Sequence, residues 1–374
     1  MNVQSINQNS FKGYDARPLK GFFMGTNHCG LADEMAKIGK KEGFKIYSML
    51  TTSSGELCNE YKKSSDLYIN HFAFWAQDVW SFVNEKIITS NVKFISEICR
   101  YFGINRFLQD HRKHIAGGNL FIVNNNGQED LLIGKNDATK MTISGLKYNY
   151  QIKNIHVLPQ MDYHLDLFIR PLNNNRILVA DDGMTLMTLI NGLEKLKEYR
   201  KQHSLKFDSE INTVIDNLDF QIRKFRAEML SNKLPQTDKI VKKLNKAGFE
   251  TIRVPARIYE VEKISQGFLG GETFLTHDCN YINANVIVNK EDELVYITNK
   301  SNFDKELGLT PDLIEKVGFS FENEFVKSIS PYVKPDKIYF VDGKNFCISK
   351  KMLKESLGGI HCMCAEIPID IKEG

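Results

Sequence analysis

The sequence lacks any apolar stretch near the roughly 20 residues that a membrane-spanning helix needs. Its first ten residues are polar and contain no apolar run of the kind found in secretory signals. We therefore expect a cytoplasmic protein with no membrane partner. Export by a system that reads no cleaved signal stays open.

Neither sign of charge dominates the chain. Its 49 Lys and Arg residues are balanced by 46 Asp and Glu residues, and the net charge is +3. Proteins that bind nucleic acid or anionic lipid through charge concentrate Lys and Arg on one surface, whereas here the basic residues are scattered. We expect no nucleic-acid partner. The balance of 42% hydrophobic and 25% charged residues predicts a globular chain with a sizeable core.

A disulfide framework and a zinc site are also missing from the sequence. The seven cysteines are odd in number and widely spread, and only Cys362 and Cys364 lie close together. Structural zinc usually needs a second ligand pair at suitable spacing, which this chain does not offer. We expect reduced thiols and no metal.

The most informative segment that is present covers residues 358–362, Gly-Gly-Ile-His-Cys. Two glycines let the backbone bend sharply and leave room for a ligand to approach the sulfur of Cys362. This is a suitable place for a nucleophile. The alternative is a buried cysteine that only fills apolar space.

A second candidate lies in residues 163–172, where apolar and polar residues alternate. Alternation predicts a half-buried strand with His164 and Asp166 on one face, so that a titratable base stands beside a carboxylate. The alternative is a surface histidine and aspartate on an edge strand.

Asp78 lies between Trp75 and Trp80, the two tryptophans of the chain. Aromatic neighbours desolvate a carboxylate, which a cationic ligand would compensate. Asp78 could equally cap a turn.

Gly117 and Gly118 begin a predicted β-hairpin whose turn contains Asn126 and Gly127. The two glycines could equally be structural.

In this order the four segments resemble the guanidino-group modifying enzymes, which include arginine, agmatine and peptidylarginine deiminases, dimethylarginine hydrolases and amidinotransferases. The resemblance runs from about Asp78 to Cys362. Gln77 stands where the family has arginine, and the stretch around Asn283 resembles the family's Asn-containing strand. The resemblance implies a five-bladed α/β propeller and no metal or organic cofactor.

The roles of individual residues follow from the same resemblance. It implies that Cys362 is the nucleophile, that His164 is the general acid and base, and that Asp78 and Asp166 hold the guanidinium. It places Gly118 and Asn119 beside the substrate. The expected partner is a guanidino small molecule or peptidyl-arginine, and an oligomer is possible.

One departure from the family pattern is Ala116, which stands where an acidic residue usually orients the catalytic histidine. A methyl group cannot orient an imidazole or stabilise its charged form. Three explanations stay open: an engineered change, a natural variant with another orienting group, or a pseudoenzyme. The leading hypothesis is hydrolysis of a guanidino substrate to a ureido product, and the alternatives are amidino transfer to an amine and guanidino binding without catalysis.

Strand-like and helix-like segments alternate along the chain, which indicates an α/β domain. We expect one catalytic domain over residues 1–374. Residues 184–244 are rich in charge and in apolar residues at helical spacing, and we predict a helical insertion there. The predicted strands include 81–88, and the predicted helices include 31–42, 92–102 and 310–316.

Overall fold

The computed structural model describes most of the chain. The described residues are 16–24, 30–48, 75–83, 86–89, 107–109, 115, 117–150, 152–160, 162–205, 208–231, 237–263, 273–343, 348, 352–353 and 358–369. No helix within these ranges is both long and apolar enough to cross a membrane.

Strands and helices alternate along these ranges, which confirms the α/β class. The strands are β1 (Leu19–Met24), β2 (Lys45–Ser48), β3 (Trp80–Val83), β4 (Lys86–Thr89), β5 (Phe107–Gln109), β6 (Leu120–Asn125), β7 (Gln128–Gly134), β8 (Asn154–Leu158), β9 (Ile169–Pro171), β10 (Arg176–Ala180), β11 (Glu250–Val254), β12 (Arg257–Lys263), β13 (Thr273–Asn280), β14 (Ala284–Val288), β15 (Leu294–Asn299), β16 (Ile338–Val341) and β17 (Cys364–Pro368). The α-helices are α1 (Leu31–Glu42), α2 (Ala76–Val79), α3 (Lys140–Tyr150), α4 (Asp182–Gln202), α5 (Ser209–Ser231), α6 (Thr237–Lys246), α7 (Phe303–Glu306), α8 (Pro311–Val317), α9 (Phe321–Ile329) and α10 (Ile360–Met363). Short 3₁₀ turns cover Gly117–Asn119, Leu165–Leu167 and Pro335–Lys337.

Five three-stranded sheets repeat one topology within the described ranges. In each sheet the central strand pairs antiparallel with one neighbour and parallel with the other. The sheets are β17-β1-β2, β3-β4-β5, β6-β7-β8, β9-β10-β11 and β14-β15-β16. Because β17 completes the sheet of β1, strands from the two ends of the described chain are joined. Strands β12 and β13 form a separate antiparallel pair.

Several local predictions are confirmed. Helix α1 has the predicted bounds and ends at Gly43, whose φ of 90° suits glycine. The β6–β7 hairpin turns at Asn126 and Gly127, both with positive φ, as an Asn-Gly turn requires. Helix α8 lies one residue later than the predicted range of 310–316, because the side chain of Thr310 caps its first turn from outside the helix.

The predicted strand over residues 163–172 is wrong for most of its length. His164 is extended, but Leu165–Leu167 form a 3₁₀ turn, and only Ile169–Pro171 pair as a strand. Alternation misled the prediction because Leu165 and Asp166 are both buried, so the residues do not alternate between core and solvent.

Two further predictions differ from the structure or cannot be compared with it. Residues 81–88, predicted as one strand, contribute to two antiparallel strands, β3 and β4. The predicted helix over 92–102 lies outside the described residues.

Helices α4, α5 and α6 occupy the stretch that was predicted to be helical. Helix α4 begins two residues earlier than predicted, because the side chain of Asp181 accepts a hydrogen bond from Met184 N and caps it. The apolar residues at helical spacing are buried: Leu189, Leu193, Leu196, Ile211, Ile215, Leu218 and Ile222.

Candidate active site

Four segments that are distant in sequence meet at one place. Helix α2 lies against helix α10 and against the Gly117–Asn119 turn, which in turn contacts the Leu165–Leu167 turn. Each segment adjoins a strand of a different three-stranded sheet. The structure therefore brings together the four segments that were singled out in the sequence.

A buried thiol, imidazole and carboxylate lie at this meeting point. Cys362, His164 and Asp166 each place a polar atom within 4.8 Å of the other two, and all three side chains are buried. The thiol of Cys362 donates to Asp166 Oδ2 at 3.2 Å. One nitrogen, one sulfur and one oxygen could also ligate a metal ion.

Gly358 and Gly359 are needed for close packing beside the sulfur. A β-carbon at Gly358 would lie 2.6 Å from the ring of Trp75, and one at Gly359 would lie 2.5 Å from Oδ1 of Asn283. Any side chain at either position would push these neighbours away. The two glycines therefore allow other parts of the protein to approach this backbone closely.

Sequence reasoning missed the role of His361, whose Nδ1 lies 2.7 Å from Asp166 Oδ2. Burial alone would raise the pKa of Asp166, but the hydrogen bond from His361, electrostatic interaction with the imidazoles of His361 and His164, and the hydrogen bond from Cys362 bring that pKa below its usual value. Burial and the positive charge of Arg170 lower the pKa of His361 to about 4. At neutral pH a charged carboxylate therefore accepts a hydrogen bond from a neutral imidazole.

Only one oxygen of Asp166 is used by these contacts. Oδ2 accepts from His361 and Cys362, whereas Oδ1 is buried and has no hydrogen-bond partner among the residues that the structure describes. A buried carboxylate oxygen without a donor is costly, and a cationic ligand with N–H groups would remove that cost.

Gly118 and Asn119 shape the same place. A β-carbon at Gly118 would lie 2.6 Å from Nδ1 of His164 and 3.0 Å from both carboxylate oxygens of Asp166. The side chain of Asn119 accepts from Leu165 N at 2.9 Å and donates to Asp137 at 3.0 Å, so it fixes the turn that carries Asp166. Contact of either residue with a substrate stays a prediction.

Two sequence expectations cannot be placed at the atomic level. The backbone of Asp78 is in helix α2, beside helix α10, but its side chain is outside the described part of the structure. Ala116 also lies outside the described residues.

A second buried polar network, missed from the sequence, supports the loop before β14. Arg257 makes two hydrogen bonds to the carboxylate of Asp182, and His277 bonds Asp162 at 2.9 Å. Asn280 lies 3.5 Å from His277 Nδ1 and donates to the carbonyl of Leu167 at 3.1 Å. The network therefore joins the β13 end to the turn that carries Asp166.

Acid should destabilise the fold through His361. Its pKa is lowered from 6.5 to about 4 on folding, so over that range the unfolded chain holds a proton that the folded chain does not. The free energy of unfolding should fall as the pH drops through this window, by at most about 1.4 kcal/mol per pH unit from this group. The lowered pKa of Asp166 acts in the same direction at lower pH.

His361→Asn tests this pH dependence, because an amide N–H can replace Nδ1–H but does not titrate. Urea unfolding at about pH 7 and about pH 5 should show a smaller loss of stability in the variant than in the wild type. Equal losses would mean that His361 does not contribute.

No protein-family model matches the chain, and no curated protein matches it. Agmatine deiminase from C. jejuni aligns with 95% of this chain and 93% of its own, at 14% identity and a TM-score of 0.46. A mutant of DDAH from Pseudomonas aeruginosa complexed with citrulline aligns with 94% of this chain and 100% of its own, at 11% identity and a TM-score of 0.43.

The N-terminal domain of a cyanobacterial arginine dihydrolase, a mutant bound to substrate, gives a similar result. It aligns with 92% of this chain and 88% of its own, at 12% identity and a TM-score of 0.41. These structural neighbours are the kinds of enzyme that the sequence motifs resemble. Because these TM-scores are all below 0.5, the likeness does not bear on the function.

Proposed function

We propose that this protein is a cysteine-dependent hydrolase that converts a guanidino compound to a ureido product. The observation that supports this most directly is the buried group of Cys362, His164 and Asp166, with one carboxylate oxygen of Asp166 left for a cation. A nucleophile, a proton carrier and an anion at one place are what attack on a guanidinium carbon needs.

Substrate binding follows from charge and geometry. A guanidinium is planar and carries five N–H donors, so carboxylates in bidentate contact hold it best. Asp166 Oδ1 would accept one donor, and we assign the second carboxylate to Asp78, whose helix lies beside that of Cys362. Because His361 is neutral, the site keeps the negative charge of Asp166 for the incoming cation.

The reaction would proceed in two balanced steps. In the first, the thiol proton of Cys362 passes to His164 and the sulfur bonds to the guanidinium carbon. The carbon–nitrogen bond of the leaving amine then breaks, and His164 gives that proton to the amine. In the second, His164 takes a proton from water, whose oxygen bonds to the same carbon. The carbon–sulfur bond then breaks, His164 returns its proton to the sulfur to restore the thiol, and the released product loses its hydroxyl proton to solvent to become the neutral ureido compound.

We infer that the five repeated sheets are blades of a closed propeller in a single domain over residues 1–374. Closure of the first sheet by β17 supports this, since it joins strands from both ends of the chain. We further propose that residues 184–244 are an insertion and that the protein acts in the cytoplasm.

A panel of guanidino compounds tests the proposed function. The protein is incubated with arginine, agmatine and an arginine-containing peptide, with and without glycine or lysine as acceptor. We expect a ureido product and a mass increase on Cys362, since the missing acid at Ala116 should slow turnover. Ala116→Glu should then raise the rate by roughly 10²-fold or more.

Two other results would contradict hydrolysis. A new guanidino compound that forms only with an added amine would indicate amidino transfer. No product and no adduct with either the wild type or Ala116→Glu would indicate a binding protein without catalysis.

Gly118→Ala should lower kcat/KM by about 10²-fold, because the added methyl displaces His164 or the carboxylate of Asp166. Gly183→Ala is the matched control, since its β-carbon meets only Asp181 Oδ1, at 3.1 Å. Steady-state kinetics on the best compound of the panel compares them. If Gly118→Ala and Gly183→Ala behave alike, the space beside His164 is not critical.

A further inference from the structure

The side chain of Asn283 lies beside helix α10, where it contacts both the backbone and the sulfur of Cys362. Its Oδ1 accepts a hydrogen bond from His361 N at 3.0 Å, and its Nδ2 lies 3.2 Å from Cys362 Sγ. Asn283 is fully buried. This amide therefore connects the backbone before the cysteine to the sulfur itself.

The contacts of Asn283 fix which end of its amide faces the sulfur. A backbone N–H can only donate, so the atom opposite His361 N must be the oxygen, and the NH₂ group must face Cys362. The absence of a side chain at Gly359 leaves the space that Oδ1 occupies. The backbone of Asn283 is held as well, since its N–H donates to Asn280 and its carbonyl accepts from Asn299.

The sulfur thus lies between an acceptor and a donor. As a thiol it gives its proton to Asp166 Oδ2 at 3.2 Å and accepts from Asn283. As a thiolate it has no proton to give, and the nearby carboxylate repels it, whereas a hydrogen bond from an amide N–H stabilises it. Asp166 therefore disfavours ionisation of the thiol, whereas Asn283 favours it.

We propose that Asn283 is a further catalytic residue, whose amide donates to Cys362 Sγ and stabilises the thiolate. The amide N–H of Asn283 would stabilise the thiolate of Cys362 before it attacks the substrate. It would do so again when the sulfur leaves the covalent intermediate as a thiolate. The catalytic part rests on the proposed function. The effect on the thiol does not, because it requires no guanidino substrate.

Alkylation of Cys362 by iodoacetamide tests the proposal. The rate is followed over about pH 6–10 by peptide mass, and its pH midpoint reports ionisation of the thiol, whereas access to the buried sulfur changes only the plateau. In Asn283→Asp an oxygen can still accept from His361 N, but the donor to sulfur is lost. We expect the midpoint to rise by about one unit or more, so that the rate near pH 7 falls about tenfold.

Asn285→Ala is the matched control. Asn285 is equally buried, and its amide donates to the carbonyl of Ile360, in helix α10, at 3.4 Å rather than to the sulfur of Cys362. Its midpoint should stay near that of the wild type. Asn283→Ala, which lacks the new charge of the aspartate, should move the midpoint in the same direction as Asn283→Asp.

Three results would overturn the proposal: an unchanged midpoint in Asn283→Asp, an unchanged midpoint in Asn283→Ala, or an equal shift in Asn285→Ala. The last would mean that any loss of packing around helix α10 changes the thiol. If turnover of a guanidino compound is found, Asn283→Ala should lower kcat more than it raises KM. If no turnover is found, the alkylation result still decides the role of Asn283.

Discussion

Replacing Cys362 by serine is expected to abolish turnover of any guanidino substrate, with a loss of kcat on the order of 10³-fold or more. Serine has nearly the shape of cysteine, so the packing around the buried side chain is kept. Its hydroxyl is far harder to ionise than a thiol, so serine is a much weaker nucleophile in the same place. Single-turnover product formation and intact mass measure both the rate and the loss of the adduct.

Cys364→Ser provides the matched control for this experiment. Cys364 lies two residues further along and is also buried, and burial raises the pKa of its thiol, so it stays protonated. Its replacement should leave turnover nearly unchanged. If Cys364→Ser loses activity and Cys362→Ser keeps it, the nucleophile has been assigned to the wrong sulfur.

Replacing Asp166 by asparagine should lower kcat/KM by about 10²–10³-fold. The amide has the shape of the carboxylate but carries no charge, and its NH₂ group would face the N–H donors of the guanidinium. It would also disturb the hydrogen bonds from His361 and Cys362, since one end of the amide cannot accept. The loss should appear in KM as well as in kcat, because the carboxylate is assigned to binding and orientation.

Asp130→Asn separates this effect from the general cost of changing a buried aspartate. Asp130 is buried and bonds a histidine, His156, at 2.9 Å, much as Asp166 bonds His361. It lies in β7, and it also accepts hydrogen bonds from Asn125 and Asn154, which lie outside the candidate site. The control should retain activity. Comparable kinetics for Asp166→Asn and Asp130→Asn would remove Asp166 from the substrate site.

The sequence by itself determined the features that depend on neighbouring residues. Helix α1 and the Asn126-Gly127 hairpin were predictable, because helix periodicity, caps and turn residues act over a few positions. The segments around Cys362 and His164 were recognisable for the same reason, since each motif is short and continuous. The alternation around His164 predicted the wrong local structure because it cannot reveal burial on every side.

Only the tertiary structure decided which groups meet. The five repeated sheets leave no repeat in the sequence, because each depends on pairing and on burial rather than on identical residues. The bonds from His361 to Asp166 and from Asn283 to Cys362 join residues 195 and 79 positions apart. No local pattern specifies such pairs, since they form only when separate sheets pack together, and packing also sets the charge state of the buried groups between them.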